Sequence, residues 1–353
     1  MKSSLPAAAV TIVTYNSARV IERCLQYVLE QDYPALEIIV VDNASTDGTP
    51  ALLERFCDRV SVILNCTNRG FAGGQNQAIA RAIATTRADW ILTLNPDVRL
   101  SADFVSRLVE AGEADPTAGT VCGKLLGMTD DFEIPGQAIF DSTGIFMTPN
   151  LRHFDRGSRL PDRGQYDLRE YVFGATGAAA LYRRPMIEDI SLDCEFFDED
   201  FFAYREDADV AWRAQLFAWR CLYVPEANAY HVRSVLPSNR RSVARVINLH
   251  SVKNRFLLRI KNATPDLYRH HWFRITLRDL VVIGGCLLRE VTSLPAFWLV
   301  ARGFRRTWGK RRAIMQKRRA SDAYIVSWFS DHPVSYPADQ TLASSVQEKM
   351  ASR

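Results

Sequence analysis

Along the first 110 residues, short unbroken apolar runs alternate with stretches whose apolar positions recur every three or four residues. AAVTIVTY (8–15), LEIIVVDN (36–43), VSVILN (60–65) and DWILTLNPD (89–97) read as strands buried on both faces. VIERCLQYVLEQ (20–31), ALLERFC (51–57), QNQAIARAIATT (75–86) and SADFVSRLVEAG (101–112) carry helical spacing. NASTDGT (43–49) reads as a polar turn, and TNRGFAGG (67–74) as a glycine-rich turn. This alternation predicts an α/β fold with a mainly parallel sheet flanked by helices. Right-handed crossovers then bring the carboxyl ends of the strands to one edge. Thr14-Tyr15-Asn16, Asp42-Asn43-Ala44-Ser45, Asn68-Arg69-Gly70 and Asn95-Pro96-Asp97 would gather there, where open α/β sheets bind ligands.

The middle of the chain is less regular. YVFGATGAAALYRR (171–184) reads as a strand, followed by the acidic stretch FFDEDFFAYREDAD (196–209). VAWRAQLFAW (210–219) reads as a helix, and CLYVP (221–225) as a strand leading to His231. Beyond about residue 238 the pattern turns helical and basic. These shifts divide the chain into an α/β domain over 1–237, a basic helical extension over 238–335, and a loose tail over 336–353.

Composition adds a polarity that the pattern alone does not show. The 353 residues are 47% apolar and 24% charged, as in a globular protein with a real core. Between Arg233 and Arg319 there are 21 Lys or Arg against three acids, a local +18; the whole chain is only +4, so the remainder is −14. Basic helices interleaved with Trp, Phe and Leu predict an anionic membrane surface as partner rather than a nucleic acid. The seven cysteines contain no CxxC pair, which argues for reduced thiols and against a disulfide framework or zinc site. LVVIGGCLL (280–288) and LPAFWLVA (294–301) are too short to span a bilayer, and the N-terminus reads as a first strand rather than a signal peptide. The expected location is therefore cytoplasmic, peripheral on the inner face of the cytoplasmic membrane.

Four groups of residues are candidates for chemistry. Asp42 ends the second strand and is suited to accept hydrogen bonds from a ligand, although Asn43, Ser45 and Thr46 are also ordinary helix-capping residues. Gly70-Phe71-Ala72-Gly73-Gly74 permits close backbone approach by an anion. It lacks both G-x-G-x-x-G spacing and the P-loop lysine, which speaks against a nicotinamide dehydrogenase. Asp97 closes an apolar strand and is a candidate cation ligand, with Asn95 two residues before it and His231 as a distant imidazole. The strongest signal is Asp198 to Asp209, six acids in twelve residues interleaved with aromatic rings. Carboxylates beside apolar rings are desolvated, and their basicity rises toward that of a general base.

Taken in order, TIVTYN, VVDNASTDGT, NRGFAGGQNQAI, LNPDV, FFDEDFFAYREDADVAWR and VPEANAYH resemble the family 2 glycosyltransferases of GT-A fold, and within them the bacterial rhamnosyltransferase-like branch. The resemblance covers roughly residues 8–235. It implies that Thr14, Tyr15, Asn16, Asp42 and Ser45 line a nucleotide, and that Arg69, Gly70, Gly73 and Asn76 sit near ribose, diphosphate or sugar. Gly174, Ala175, Thr176 and Gly177 would form a small-residue wall. Asp97 and His231 would hold Mg²⁺ or Mn²⁺, with dependence weakened because Asn95 stands where the family's metal motif has its first aspartate. Asp207 is the implied general base and Glu206 its alternative. The implied reaction is inverting transfer of a sugar, rhamnose from dTDP-rhamnose, from a nucleotide-diphosphate donor to a lipid-linked or polysaccharide acceptor. A UDP-sugar-dependent galactofuranosyl- or hexosyltransferase and a catalytically inactive nucleotide-binding scaffold are the alternatives.

Overall fold

A computed structural model describes residues 5–232 and 245–338. In its first half, strands β1 (Ala8–Thr14), β2 (Leu36–Asp42), β3 (Ser61–Leu64) and β4 (Trp90–Leu94) alternate with helices α1 (Ile21–Leu29), α2 (Thr49–Glu54) and α3 (Gly70–Thr85). β5 (Val98–Leu100), α4 (Phe104–Ala114), β6 (Ala118–Gly127), β7 (Phe140–Ser142), β8 (Ile145–Met147) and β9 (His153–Asp155) follow. Next come β10 (Glu170–Val172), β11 (Ala179–Arg183), α5 (Arg184–Ile190), α6 (Glu206–Leu216) and β12 (Arg220–His231). Four helices, α7 (Arg245–Asn262), α8 (Pro265–Leu288), α9 (Pro295–Lys317) and α10 (Asp322–Ser327), precede a last short strand β13 (Tyr336–Pro337).

One sheet of eleven strands organises the molecule, in the order β13-β10-β12-β6-β11-β4-β1-β2-β3, with β5 on β12 and β7 on β6. β1 pairs in parallel with β2 and β4, β2 with β3, and β6 with β12; β11 runs antiparallel between β4 and β6. Alternate residues along a strand feed opposite layers. Val10, Ile12, Ile38 and Val40 pack with Ile21, Leu25, Phe104 and Leu108 of α1 and α4. Ala9, Val13, Ile39 and Val41 share the other layer with Ala78 and Ile79 of α3 and Trp212 of α6.

Several sequence expectations are corrected. The glycine-rich stretch is not a turn, because α3 begins at Gly70 and includes Gly73 and Gly74. Gly70 has φ +72°, and a Cβ there would lie 2.4 Å from the Phe202 carbonyl oxygen, so the glycine admits that loop rather than ending the helix. Residues 171–184 form two strands, not one. Between them the chain leaves the sheet to cross α6, so closely that a Cβ on Gly174 would stand 2.2 Å from that of Ala211. The tail expected over 336–353 is not loose from its start, since Tyr336 and Pro337 pair with Tyr171 and Glu170. Its remainder, 339–353, lies outside the described residues, as do 233–244 at the expected boundary between 237 and 238.

The basic extension shares its core with the sheet. Leu257, Leu258, Ile314, Trp328 and Phe329 belong to the same apolar layer as α6, and Phe173 meets Trp212, Trp328 and Phe329 edge-on. Part of its positive charge is spent on the acids of the α/β part. Lys261 Nζ lies 2.5 Å from Asp198 and 2.7 Å from Asp209, and Lys310 Nζ lies 2.6 Å from Asp198 and 2.9 Å from Asp200. Arg306 pairs with Glu195 and Asp200, and Arg319 with Asp189. Four of the region's cations, Lys261, Arg306, Lys310 and Arg319, thus serve as internal counter-charge to the α/β part.

Burial alone would raise the Asp198 carboxyl, but the two ammonium groups outweigh it and hold it well below the usual carboxylate range. Its contribution to stability is therefore complete above about pH 4 and drains away as the pH falls below that. Removing one partner of a buried pair leaves an uncompensated charge, at a cost of about 3–5 kcal/mol. Lys310→Met is expected to lose stability in that range in urea titrations at pH 7, with the difference from wild type shrinking at acid pH.

Candidate active site

Four loops meet at the carboxyl edge of β1, β2, β3 and β4, stitched by side-chain to backbone bonds. Asp42, almost fully buried, accepts from Thr14 Oγ1 at 2.8 Å, from the Ser45 amide at 2.9 Å and from Ser45 Oγ at 2.5 Å. Ser45 Oγ in turn accepts from the Asn16 amide, and Asn16 Oδ1 from the Thr46 amide, both at 2.8 Å. Asn16 and Ala44 adopt φ of +53° and +60°, conformations that this mesh must hold against their own strain. Tyr15 projects from the mesh, half exposed. Asn43 carries the network to the third loop, donating to the Gly70 carbonyl at 2.8 Å.

The start of α3 faces the acidic loop. Arg69 lies 3.4 Å from Glu199, and Asn76 donates to Glu199 at 3.1 Å and to the Phe197 carbonyl at 2.8 Å while accepting from the Phe197 amide. The Asn76 amide is therefore occupied by the protein. A Cβ on Gly73 would stand 3.6 Å from the same Glu199 carboxylate.

Asp97 follows β4 and Asn95, whose amide donates to the Ala178 carbonyl at 2.9 Å and so ties this corner to the 174–178 loop. β5 pairs antiparallel with the end of β12, which sets Val98 opposite His231. His231 Nε2 is 3.4 Å from Asp97 Oδ1, and its Nδ1 is 2.9 Å from Asp141 Oδ2. Burial opposes a charge on this imidazole, but its bonds to Asp141 and Asp97 prevail and push it up to about 10. A cleft of about 280 Å³ opens here, lined by Asn16, Ser17, Arg19, Val20, Pro96, Asp97, Asp130 and Val232.

These residues fit a divalent cation shared with a ligand. Asp97 Oδ1 is buried, with His231 Nε2 at 3.4 Å as its one loose neighbour among the described residues. A cation would take the place of the Nε2 proton, and Asp141 behind Nδ1 fixes the orientation of the ring as second-layer carboxylates do. Among the described residues no cluster of three or more His, Cys, Asp or Glu is placed to hold a metal by itself. Two protein ligands completed by phosphate oxygens is the usual arrangement for Mg²⁺ or Mn²⁺ on a diphosphate.

The acidic stretch separates by environment. Asp198, Glu199, Asp200 and Asp209 all face cations; Asp209 meets Arg213 at 2.8 Å and accepts from Asn262 at 2.7 Å. Glu206 and Asp207, at the first turn of α6, have no ion pair among the described residues. Asp207 accepts from the Gly177 amide at 3.1 Å and the Ala208 amide at 2.7 Å, while Glu206 Oε2 is buried without a hydrogen-bond partner. Burial, then the neighbouring Asp207, pushes the Glu206 carboxyl up to about 8; burial raises Asp207 as well, against its two N–H donors. With one proton between them, the donors favour charge on Asp207 and the proton on Glu206. Of the small residues at 174–177, Gly177 lies directly beside Asp207, and Gly174 packs against Ala211 one turn further along α6.

The loop that delivers the pair is strained, with Phe202, Tyr204 and Arg205 at φ of +66°, +72° and +72°. Helix α7 restrains it: Asn254 Nδ2 sits 2.8 Å from the carbonyls of Phe201, Ala203 and Tyr204, and Lys253 donates to that of Asp200 at 2.6 Å. Sequence reasoning missed Arg19, Asp141, Lys253 and Asn254. A polar residue at a helical position facing α6 is the only signal Asn254 offered, and the other three stand in no motif.

Residues 9–191 match the model of glycosyl transferase family 2, more than half of the chain, and the chain belongs to that family. An N-acetylglucosaminyl-diphospho-decaprenol L-rhamnosyltransferase of Mycobacterium tuberculosis (strain ATCC 25618 / H37Rv) is 26% identical over 247 residues, 65% of this chain and 76% of that one. A putative glycosyltransferase, EpsE, of Bacillus subtilis (strain 168) is 27% identical over 237 residues, 62% and 79% of the two chains. Among solved structures, the mannosyltransferase PcManGT from Pyrobaculum calidifontis, in complex with GDP-Man and Mn²⁺, aligns with a TM-score of 0.51 at 20% identity over 89% and 86% of the chains. S. aureus TarS 1–349 with UDP-GlcNAc aligns with a TM-score of 0.53 at 16% identity over 88% and 90%. The GT-A fold is common to them.

Because the folded state holds the Glu206 proton up to about pH 8 while the unfolded chain releases it near pH 4.5, wild-type stability falls as the pH rises through that window. Glu206→Gln removes this liability. Its melting temperature is expected to match wild type near pH 5 and exceed it at pH 8.5, read by differential scanning fluorimetry.

Proposed function

We propose that the chain is an inverting glycosyltransferase in which Asp207 is the general base, and that it acts on an acceptor carried at a membrane. The observation carrying this reading is the asymmetric carboxyl pair at the head of α6. Asp207 is stabilised as a carboxylate by two backbone N–H groups, beside a Glu206 that keeps its proton. Asp207 takes the proton from an acceptor hydroxyl as its oxygen bonds to the anomeric carbon. The bond from that carbon to the diphosphate breaks in the same displacement, inverting the configuration and releasing a nucleoside diphosphate.

Asp97 and His231 are the residues that would hold Mg²⁺ or Mn²⁺, which when bound stabilises charge on the departing diphosphate. Arg19, exposed in the same cleft and without an ion pair among the described residues, adds a second positive group beside Asn16 and Asp97. The Thr14–Asn16 and Asp42–Ser45 mesh forms the wall for base and ribose. For the donor we favour dTDP-rhamnose, supported by the resemblance of NRGFAGGQN and by the M. tuberculosis relative; a UDP-sugar for a galactofuranosyl- or hexosyltransferase is the second reading. An inactive scaffold is disfavoured by the intact Glu206-Asp207 pair.

Peripheral attachment to the inner face of the cytoplasmic membrane is supported by a surface that packing leaves uncovered. No described helix is long and apolar enough to cross a membrane, but α8 and α9, joined at a 113° bend, expose Trp272, Phe273, Leu277, Leu280, Leu288, Val291, Trp298 and Phe304. Aromatic and aliphatic residues alternating with arginines suit the headgroup boundary.

Nucleotide binding and chemistry are separable. With dTDP, UDP and GDP each at about 100 times its dissociation constant, the true donor nucleotide should add about 2.7 kcal/mol. Asp97→Ala is expected to abolish the part of that shift which Mn²⁺ adds. Asp207→Asn should keep nucleotide binding yet lose transfer by about 10²–10⁴-fold, whereas Glu206→Gln stays within tenfold. No thermal shift with any nucleotide, or an active Asp207→Asn, would refute the assignment.

A further inference from the structure

Beside the α6 loop lies a concentration of guanidinium groups that neither the fold nor the proposed chemistry employs. Arg255 of α7 is 4% exposed, with Nε unpartnered; it donates weakly to the Asn150 carbonyl at 3.4 Å, and its nearest acid, Asp279, is 3.9 Å away. Asp279 is already engaged by both terminal nitrogens of Arg259, at 2.5 and 2.7 Å. Arg278, one helical position from Asp279, makes no ion pair among the described residues, and its Nε is also buried without a partner. Burial first, then the charges of Arg259 and Arg205, pull Arg255 down to about 9; only Asp279 offsets them, and Arg278 adds to the pull. Protein cores do not gather positive charge in this way unless a negative group completes it.

Arg278 opens onto a cleft of about 330 Å³ lined by Asn150, Arg274, Leu277, Arg278, Val281 and Asp331, and Arg255 reaches its wall through the Asn150 carbonyl. Arg274 and Arg278 stand four apart on α8, one turn beside each other, so both forks face the cleft. Arg274 is held at its mouth by Asp331 at 2.7 Å, both largely exposed. The other part of the lining is apolar: Leu277 and Val281 are 52% and 54% exposed, and they continue along α8 as Phe273, Leu280 and Leu288. A cationic pocket opening onto an uncovered aliphatic stripe is complementary to one kind of ligand, a phosphorylated lipid.

We propose that this cleft binds the diphosphate group of a lipid-borne acceptor, with Arg278 as its anion donor, the buried charge of Arg255 close behind Asn150, and the Leu277–Val281 face of α8 as the seat of the first lipid carbons. The acceptor class rests on the function proposed above; the site rests on the residues just described. Guanidinium forks match phosphate oxygens in pairs, and the loss of hydration at a half-buried Arg278 makes each bond stronger than on an open surface. The location serves the reaction. Asn150 lies in the turn between β8 and β9, and β9 begins with His153, whose Nδ1 is 3.2 Å from Arg205, the residue that caps α6 and precedes Glu206-Asp207. An acceptor anchored here presents its hydroxyl to Asp207 from the α7–α8 side, independently of the nucleotide cleft at Asp97.

Farnesyl diphosphate is a suitable probe, titrated calorimetrically into the full chain in EDTA so that metal-assisted diphosphate binding at Asp97 is silent. Farnesol, inorganic diphosphate and phosphatidylglycerol vesicles serve as separate arms. The expected result is that farnesyl diphosphate binds, that inorganic diphosphate and farnesol each bind at least tenfold more weakly, and that Arg278→Gln weakens farnesyl diphosphate at least tenfold. Leu277→Ser should weaken farnesyl diphosphate but not inorganic diphosphate. An unchanged affinity in Arg278→Gln, equal affinity for inorganic diphosphate, or an Arg278→Gln defect confined to the vesicles would each overturn the site, the last two pointing to a free anion or a bilayer headgroup. Arg278→Lys, which keeps the charge and loses the fork, guards against misfolding: recovery of part of the affinity at an unchanged melting temperature supports direct contact. Nucleotide shifts measured on the same samples separate the two readings. Nucleotide binding without farnesyl diphosphate binding removes this site alone, whereas farnesyl diphosphate binding without any nucleotide response keeps the site and removes the transferase assignment.

Discussion

Two ammonium groups closed off from water, those of Lys261 and Lys310, hold the acidic loop in place, and the rest of the architecture is arranged around that requirement. Asp198 lies between them, Asp209 shares Lys261, and Asp200 shares Lys310. Each charge would be costly to bury alone, and their interaction is worth its desolvation only when the remaining oxygens are also bonded, as Arg213 and Asn262 do for Asp209. The cations come from α7 and α9, so the helical extension cannot drift from the sheet without exposing or stranding acids. It shares one core with the sheet.

That arrangement also explains how one run of carboxylates acquires two roles. The four that meet cations are fixed as charged struts. Glu206 and Asp207 meet only backbone N–H groups, apolar walls and each other, so their proton affinity rises together and one proton settles between them. The strained turn at 202–205 is part of this design, since three positive φ angles turn the start of α6 toward Gly177 and Asn254 gathers the displaced carbonyls. At the carboxyl edge of the sheet, Asp42 knits the strand ends and Asp97 reaches across to the end of β12.

The parallel half of the sheet was legible in the sequence because unbroken apolar runs and helical spacing report local burial directly. So were the polar strand ends and the acidic stretch. The register that brings His231 beside Asp97 was not, because β5 and β12 are joined only by a pairing between residues more than a hundred positions apart. Nor could the pattern tell that the glycines after Arg69 lie within a helix, since their spacing answers to Phe202, a residue distant in the chain. The internal share of the basic extension's charge was not legible either. Counting its charges gave the correct excess, but only the fold reveals which lysines point inward to acids and which arginines stay uncommitted.

The distance in the chain between Asp198 and its partners has a consequence for synthesis. Lys310 is translated 112 residues after Asp198, which at ribosomal rates is on the order of ten seconds. Through that interval the first strands and α3 can assemble, while the acids of the later loop stay hydrated and unburied. β13, the last strand described, closes the sheet edge on β10 only after both lysines have been made. A nascent chain therefore carries the Asp42 and Asp97 strand ends before the acidic loop has its buried counter-charges: the two halves of the cleft region mature in the order in which they are spelled.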